Sequence, residues 1–302
     1  MLDRDGPLAL PGAPARWPER EAERRPTRAG ARLGRTTVTS TTGTDVLHDL
    51  TSVLRDGLLD VVDLTTPLSA DTPTLQLPAP YANLIDFSLE EVSAFDGGGP
   101  LWRHHNIHTG EHVGTHLDAP RHWISHADGD DVASVPVTRL VGPAMVVDRS
   151  ADAARDPDFL LEVDHLREWE AEHGPLRAGG WLLYRTGWES RGGDRDAFLN
   201  VVDGVSRTPG ISAECARWLA EETPVAGFGV ETVGIDAGNG FSLDPPMPAH
   251  HHLLANDRYG VTSLRNLGLL PATGAVVVVA PLPIVGGTGS PARVLAFVPG
   301  RG

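Results

Sequence analysis

The chain has 302 residues, of which 40% are hydrophobic and 22% charged, a balance that supports a packed globular core. Its formal net charge of −15 argues against nucleic acid and anionic membrane surfaces as partners. Cys215 is the only cysteine, so no intrachain disulfide can form, and a reducing compartment, the cytoplasm, is expected. All 25 basic residues are arginine, which reads as genomic base composition, not function. No apolar run reaches membrane-spanning length; the longest, 275–282, suits a buried strand. Arg24 and Arg25 lack the apolar stretch that an export signal needs.

Residues 1–43 are rich in Pro, Arg, Ala, Gly and Thr and show no sustained period, so they read as a disordered arm ahead of a folded domain over 44–302. Val46, Leu47, Leu50 and Leu54 have helical spacing and stop at Gly57, predicting a helix over 45–54. A strand over 59–64, a turn-rich stretch over 67–80 and an extended segment over 103–108 follow. Next come a strand at 142–148, a helix at 164–173 closed by Gly174 and Pro175, and a strand at 180–185. Ser212 caps a further helix after the Pro209-Gly210 turn, and that helix buries Cys215. Strands at 225–230, 275–281 and 293–298 and short helices at 250–256 and 264–270 complete the chain. Strands mixed with helices predict an α/β fold, without a clean βαβ repeat.

Ten of the thirteen histidines fall in two groups, seven between positions 104 and 126 and three at His250, His251 and His252. The densest stretch is His112-Val-Gly-Thr-His116-Leu-Asp118-Ala-Pro120-Arg-His122. Neutral imidazole nitrogens and carboxylate oxygens are ligands of Zn²⁺, Mn²⁺ and Fe²⁺. On extended backbone His116 and Asp118 point to one side, and a tight turn at Gly114 folds His112 back toward them. Three protein donors with positions left over make a catalytic site, not a closed structural one. His122, across Pro120, is placed beside the metal as general acid and base, its alternative role being a ligand. His108, with Trp102 and Trp123, is a candidate for the pocket wall, as are Phe87 and Tyr81. Glu111 and Arg121 are candidate orienters of the ligands. The prolines at 245, 246 and 248 fix the entry to His250–His252, one of which is expected to reach the site. Gly286-Gly287-Thr288-Gly289-Ser290 lacks the Walker lysine and the dinucleotide spacing, and reads as a tight loop lining a pocket. No G-x-S-x-G elbow is present, which disfavours a serine hydrolase.

The eleven-position run from 112 to 122 resembles the signature H-x-G-T-H-x-D-x-P-x-H of the cyclase-like metal-dependent hydrolases, which include kynurenine formamidase, isatin hydrolase and trans-dienelactone hydrolase. The likeness extends over about residues 58–299, through Asp63-Leu64-Thr65, Arg185-Thr186-Gly187-Trp188, His250 with Leu253-Leu254, and the 281–291 segment. It implies a single-domain swivelling β/β/α fold, usually a homo-oligomer, dimer or tetramer, acting on a small molecule. It implies that His112, His116 and Asp118 hold the metal and that His122 is the acid/base. In the formamidase branch a second metal is held by a later His and a Glu twelve residues on; here those positions are His250 and Thr262. A hydroxyl in place of the carboxylate favours one divalent ion, Mn²⁺ or Zn²⁺, with His250 in the pocket. The resemblance therefore implies hydrolysis of a cyclic amide or ester by metal-activated water. A cyclase, dehydratase or isomerase using the same centre is the alternative reaction, and a metal-containing binding protein the alternative class.

Overall fold

The computed structural model describes residues 42–77, 80–95 and 101–300. The expected N-terminal arm lies, but for its last two residues, outside them. The chain divides into two compact units, Met1–Asp49 and Leu50–Gly302. Helix α1, Gly43–Arg55, begins in the first and ends in the second, and none of its residues is buried.

The second unit contains β1 (Leu59–Asp63), β2 (Ser88–Ser93), β3 (His104–His108), β4 (His116–Asp118) and β5 (Val141–Asp148). Then follow α2 (Ser150–Arg155), β6 (Leu160–Leu161), α3 (Val163–His173), β7 (Trp181–Arg185) and α4 (Arg195–Leu199). The rest comprises β8 (Val201–Val202), β9 (Val205–Ser206), β10 (Gly210–Ile211), α5 (Ala213–Glu222), β11 (Gly227–Val230), β12 (Tyr259–Thr262), β13 (Ala275–Pro281) and β14 (Gly289–Pro299).

Eight strands form one sheet in the order β1-β14-β13-β5-β7-β11-β12-β4, and a further pairing of β14 with β4 closes seven of them into a barrel. The long strand β14 is the closing piece. Its residues 292–297 pair with β13, 295–299 with β1, and 289–291 with β4. The predicted strand there, 293–298, is only its second half. Gly289, Ser290 and Pro291 resemble loop residues in sequence, yet they lie in the ladder because β4 supplies their partners.

Strands β5, β7, β11 and β12 are parallel neighbours, and the crossovers between β5 and β7 and between β7 and β11 run through α3 and α5. The sheet therefore holds two βαβ crossovers, although they do not form a clean repeat. Irregular backbone and very short elements between residues 187 and 212 separate the units and hide the period. The helix expected at 264–270 is corrected. Leu264 bridges to Thr65, and Asn266 adopts left-handed φ of 61°, leaving only the short turn Leu267–Leu269. The other expected strands and helices are present, with boundaries shifted by no more than two residues.

Side chains alternate along β7. Trp181 and Leu183 enter an apolar cluster inside the barrel with Leu117, Val261, Val277 and Val294. Leu182 and Tyr184 face outward into a second cluster with Leu166, Trp169, Cys215 and Leu219 of α3 and α5. Burial on both faces explains the near-continuous apolar run of this strand. Ser212 caps α5, its hydroxyl accepting from the Cys215 amide at 3.2 Å. Past the strand ends, the fully buried Glu231 accepts from Thr186 N at 3.0 Å and Trp188 N at 2.8 Å, tying the exit of β11 to that of β7.

Leu183→Ala removes a side chain 1% exposed at the centre of the barrel. It is expected to lower unfolding free energy by about 2–5 kcal/mol, read as a lower urea midpoint with unchanged slope.

Candidate metal centre

The site is built on β4, whose three residues are all buried. Before it, Gly114 turns the chain at φ of 65°; a Cβ there would also lie 2.5 Å from Leu68 Cδ2. Thr115 pins the turn, its hydroxyl donating to Ser263 O at 2.7 Å and accepting from Thr66 N at 2.9 Å. Strand pairing places Asp118 opposite Gly260 of β12 on one side and Gly289 of β14 on the other. A Cβ at Gly260 would stand 2.8 Å from Asp118 Oδ2, and one at Gly289 would stand 2.5 Å from His112 Cε1. The two glycines make the room that the carboxylate and the imidazole occupy.

His116 and Asp118 share a face of the strand, and the turn returns His112 to them. His112 Nδ1 lies 2.8 Å and His116 Nε2 3.3 Å from the same oxygen, Asp118 Oδ1. On the far side of its ring, His116 Nδ1 is 2.8 Å from Gly114 O and 3.0 Å from the Thr262 hydroxyl. Pro120 opens a short 3₁₀ turn, Pro120–His122, which brings the third imidazole back over the first, with the rings of His112 and His122 stacked at 3.9 Å between centroids. One donor atom from each of His112, Asp118 and His122 lies within 4.8 Å of the other two. His122 therefore stands closer to the ligand positions than its spacing across Pro120 suggests.

His250 arrives from a distant part of the chain on a single π-helical turn, His250–Leu254. Asp236 aims it. The aspartate accepts from Ala249 N at 2.7 Å and His250 N at 3.1 Å, and its Oδ2 lies 2.5 Å from His250 Nδ1. His250 Nε2 then points inward, 3.9 Å from Asp118 Oδ2. Trp123 lies beside it with ring centroids 4.9 Å apart. Asp236 also borders an adjacent cleft of about 530 Å³, whose rim carries the stacked rings of Tyr81 and Phe241.

Asp118 is 1% exposed, and its Oδ2 has no hydrogen-bond partner among the described residues. A buried carboxylate oxygen left so is costly unless an ion or water completes it. Two imidazole nitrogens on one oxygen and an orphaned second oxygen fit a divalent cation. Burial pushes the Asp118 carboxyl up, but the charges and hydrogen bonds of His116 and His112 outweigh it and hold it well below the usual range. Burial, aided by His112, His250 and His116, pushes His122 down to about 3 against the pull of Asp118. Burial acts the same way on His250, but the Asp236 hydrogen bond and charge, with Asp118 behind, prevail and raise it.

The structure thus brings together His112, His116, Asp118, His122, Trp123, His250 and Thr262. It does not bring Trp102 or His108 to them. Among the described residues, strands β2 and β3 pair only with each other, so His108 sits on an exposed ribbon with Nε2 3.0 Å from Glu90, and Trp102 stands 58% exposed beside it. Arg121 donates to Gly129 O at 3.0 Å and orients no ligand by that bond. Glu111 does contact the site, through Thr288. Asp236 and Thr288 carry functional contacts that the sequence reading did not assign. For Asp236 the available signal is an acidic residue set inside the small, apolar run Gly234-Ile235-Asp236-Ala237.

Because His122 is held neutral when folded and titrates near 6.5 when unfolded, its contribution to stability is present above pH 6.5 and lost as pH falls toward 3. In metal-free protein, the stability of wild type relative to His122→Gln is expected to fall as pH is lowered from 7 to 5, measured by urea unfolding at each pH.

The Cyclase family model matches residues 62–237 of the chain. The isatin hydrolase of Roseibium aggregatum is 42% identical over 256 residues, covering 84% of this chain and 97% of the relative. A kynurenine formamidase of Bacillus cereus is 29% identical over 234 residues, covering 77% and 94% of the two chains. Among solved structures, an isatin hydrolase bound to the product analogue thioisatinate superposes with a TM-score of 0.83 at 41% identity, covering 85% of this chain and 99% of the other. Isatin hydrolase A from Ralstonia solanacearum gives a TM-score of 0.82 at 45% identity, with coverages of 86% and 99%. A chain with this site geometry and these likenesses belongs to the cyclase-like metal-dependent hydrolase family.

Proposed function

We propose that this chain hydrolyses the ring C–N bond of a small cyclic amide of the isatin type, with one divalent cation, Mn²⁺ or Zn²⁺, held by His112, His116 and Asp118. The observation that carries the metal assignment is the buried Asp118 carboxylate, with two imidazoles on one oxygen and no partner on the other. The cation supplies Lewis-acid polarisation of a carbonyl and a lowered pKa for water. Thr262 supports a single ion, since its hydroxyl is engaged with the His116 ring. The substrate assignment is supported by the 42% identity to an isatin hydrolase along nearly the whole of that relative.

The protein groups divide the remaining work. His122 is neutral, so a ring nitrogen is free to take a proton from water as its oxygen adds to the amide carbon. Its depressed pKa makes the imidazolium a ready donor, and the proton passes to the amide nitrogen as the C–N bond breaks. His250 gives Nδ1–H to Asp236, whose charge favours a second hydrogen on Nε2, and Nε2 faces the cluster, placed to donate that hydrogen to a substrate carbonyl oxygen. Trp123, against His250, offers a flat wall to a planar ring.

No helix among the described residues is long and apolar enough to cross a membrane. We read the protein as cytoplasmic, supported by its lone, buried cysteine, and as a homo-oligomer, supported by exposed Leu89, Val92 and Ile107 on the β2–β3 ribbon.

Loss of isatin absorbance is expected with wild type and Mn²⁺ and not after chelation. His122→Ala is expected to lower kcat by about 10²–10⁴-fold. Hydrolysis in ¹⁸O-water places one solvent oxygen in the product carboxylate. Full activity in both His122→Ala and Asp118→Ala, or a product without solvent oxygen, defeats the proposal. Faster turnover of a lactone or an N-formyl aromatic amine reassigns the substrate.

A further inference from the structure

The glycine-rich segment that follows β13 is built around the back of the His112 ring. Thr288 Oγ1 donates to Glu111 Oε2 at 2.7 Å, and the Thr288 amide donates to the same oxygen at 3.1 Å. The same hydroxyl oxygen lies 2.9 Å from His112 Nε2. A hydroxyl has one proton, and a carboxylate accepts only. With that proton given to Glu111, Thr288 can only accept from His112, so Nε2 must carry the imidazole hydrogen.

We propose that Glu111, acting through the Thr288 hydroxyl, fixes a hydrogen on Nε2 of His112 and so leaves Nδ1, the nitrogen on the Asp118 side, to ligate the cation when it is bound. The inference rests on the metal reading above for its purpose, though not for its geometry. Glu111 and Thr288 are positioning residues. Their carboxylate–hydroxyl–imidazole series is a longer form of the carboxylate–imidazole pairs that raise ligand basicity and fix ring orientation at metal sites.

The surrounding backbone is shaped for this contact. A Cβ at Gly287 would stand 3.0 Å from Glu111 Oε1, and one at Gly289 would strike His112 Cε1 and Leu117 O, both at 2.5 Å. Two main-chain bonds and one to a side-chain carboxylate anchor the segment. Gly286 N donates to Asp131 Oδ2 at 2.6 Å, Val132 N to Gly287 O at 2.9 Å, and Ala119 N to Thr288 O at 2.9 Å. His116 is fixed by a different device, with Nδ1 against Gly114 O, so the two ligands present different nitrogens, Nδ1 and Nε2, to one oxygen.

Two measurements test this. Long-range ¹H–¹⁵N correlation spectra of Zn²⁺-loaded protein, with His112 assigned by its loss in His112→Gln, are expected to show the Nε2–H tautomer in wild type and a mixture in Thr288→Val and Glu111→Ala. Competition with a fluorescent chelator is expected to show Mn²⁺ affinity lowered about 10–100-fold in those two variants, retained in Thr288→Ser, and no lower in the Glu111→Ala/Thr288→Val double variant than in Thr288→Val. Wild type with His112 as the Nδ1–H tautomer overturns the proposal, as do variants with unchanged tautomer and unchanged affinity. Should a variant fail to fold, the wild-type spectrum decides. Wild type that takes up neither Zn²⁺ nor Mn²⁺ overturns the metal reading, and a hydrogen found on His112 Nε2 in that metal-free protein still upholds the relay.

Discussion

Everything in this fold that bears on chemistry is arranged around one buried carboxylate. Asp118 lies at the end of a three-residue strand, and both of its cross-strand neighbours are glycine. An ionised carboxylate at that depth costs several kcal/mol unless it is compensated. The compensation is partial: His112 and His116 converge on Oδ1, while Oδ2 faces the His250 side with no hydrogen-bond partner. That remainder makes the site a receptor for positive charge.

The barrel is what makes such a strand tolerable. β4 is too short to hold itself, and it is flanked on both edges, by β12 and by the first residues of β14. Closure of the ring by β14 therefore does two things at once. It removes an open sheet edge, and it carries Thr288 and Gly289 to the back of the His112 ring. The parallel half of the sheet has a matching part. The chain leaving β11 delivers Asp236, and through it His250, from a stretch more than a hundred residues past the motif. Strand register, not local propensity, decides which side chains meet.

How far this could be read from the sequence follows from that distinction. The His112–His122 segment is legible because its donors are close in the chain and its Gly and Pro dictate the turns. The long apolar strands and capped helices are legible because their periods are local. Asp236 and Thr288 are not, since their roles come from contacts across 14 and 176 residues. Trp102 and His108 mislead for the converse reason. They precede the motif closely, but their ribbon pairs with itself. Gly286–Ser290 has a loop's composition, and only the presence of β4 turns its end into a strand. The helix expected at 264–270 fails on one residue, Asn266, whose left-handed backbone no count of apolar spacing reveals.

Two of the imidazoles around Asp118 are driven in opposite directions. His122 has no acidic partner of its own beyond the shared carboxylate, and burial among other imidazoles leaves it neutral. His250 is buried more deeply still, yet Asp236 on its far nitrogen holds its proton in place. Pairs of titratable groups whose surroundings separate their pKa values mark out acid and base in a hydrolytic site. In the proposed reaction that separation would leave the free lone pair on His122 and the N–H donor on His250, the division that adding water across an amide requires. Charge balance points the same way. With Asp236 serving His250, Asp118 alone cannot satisfy His112, His116 and His122 as cations, so the ring with no hydrogen bond to Asp118, the one stacked over His112, is left neutral.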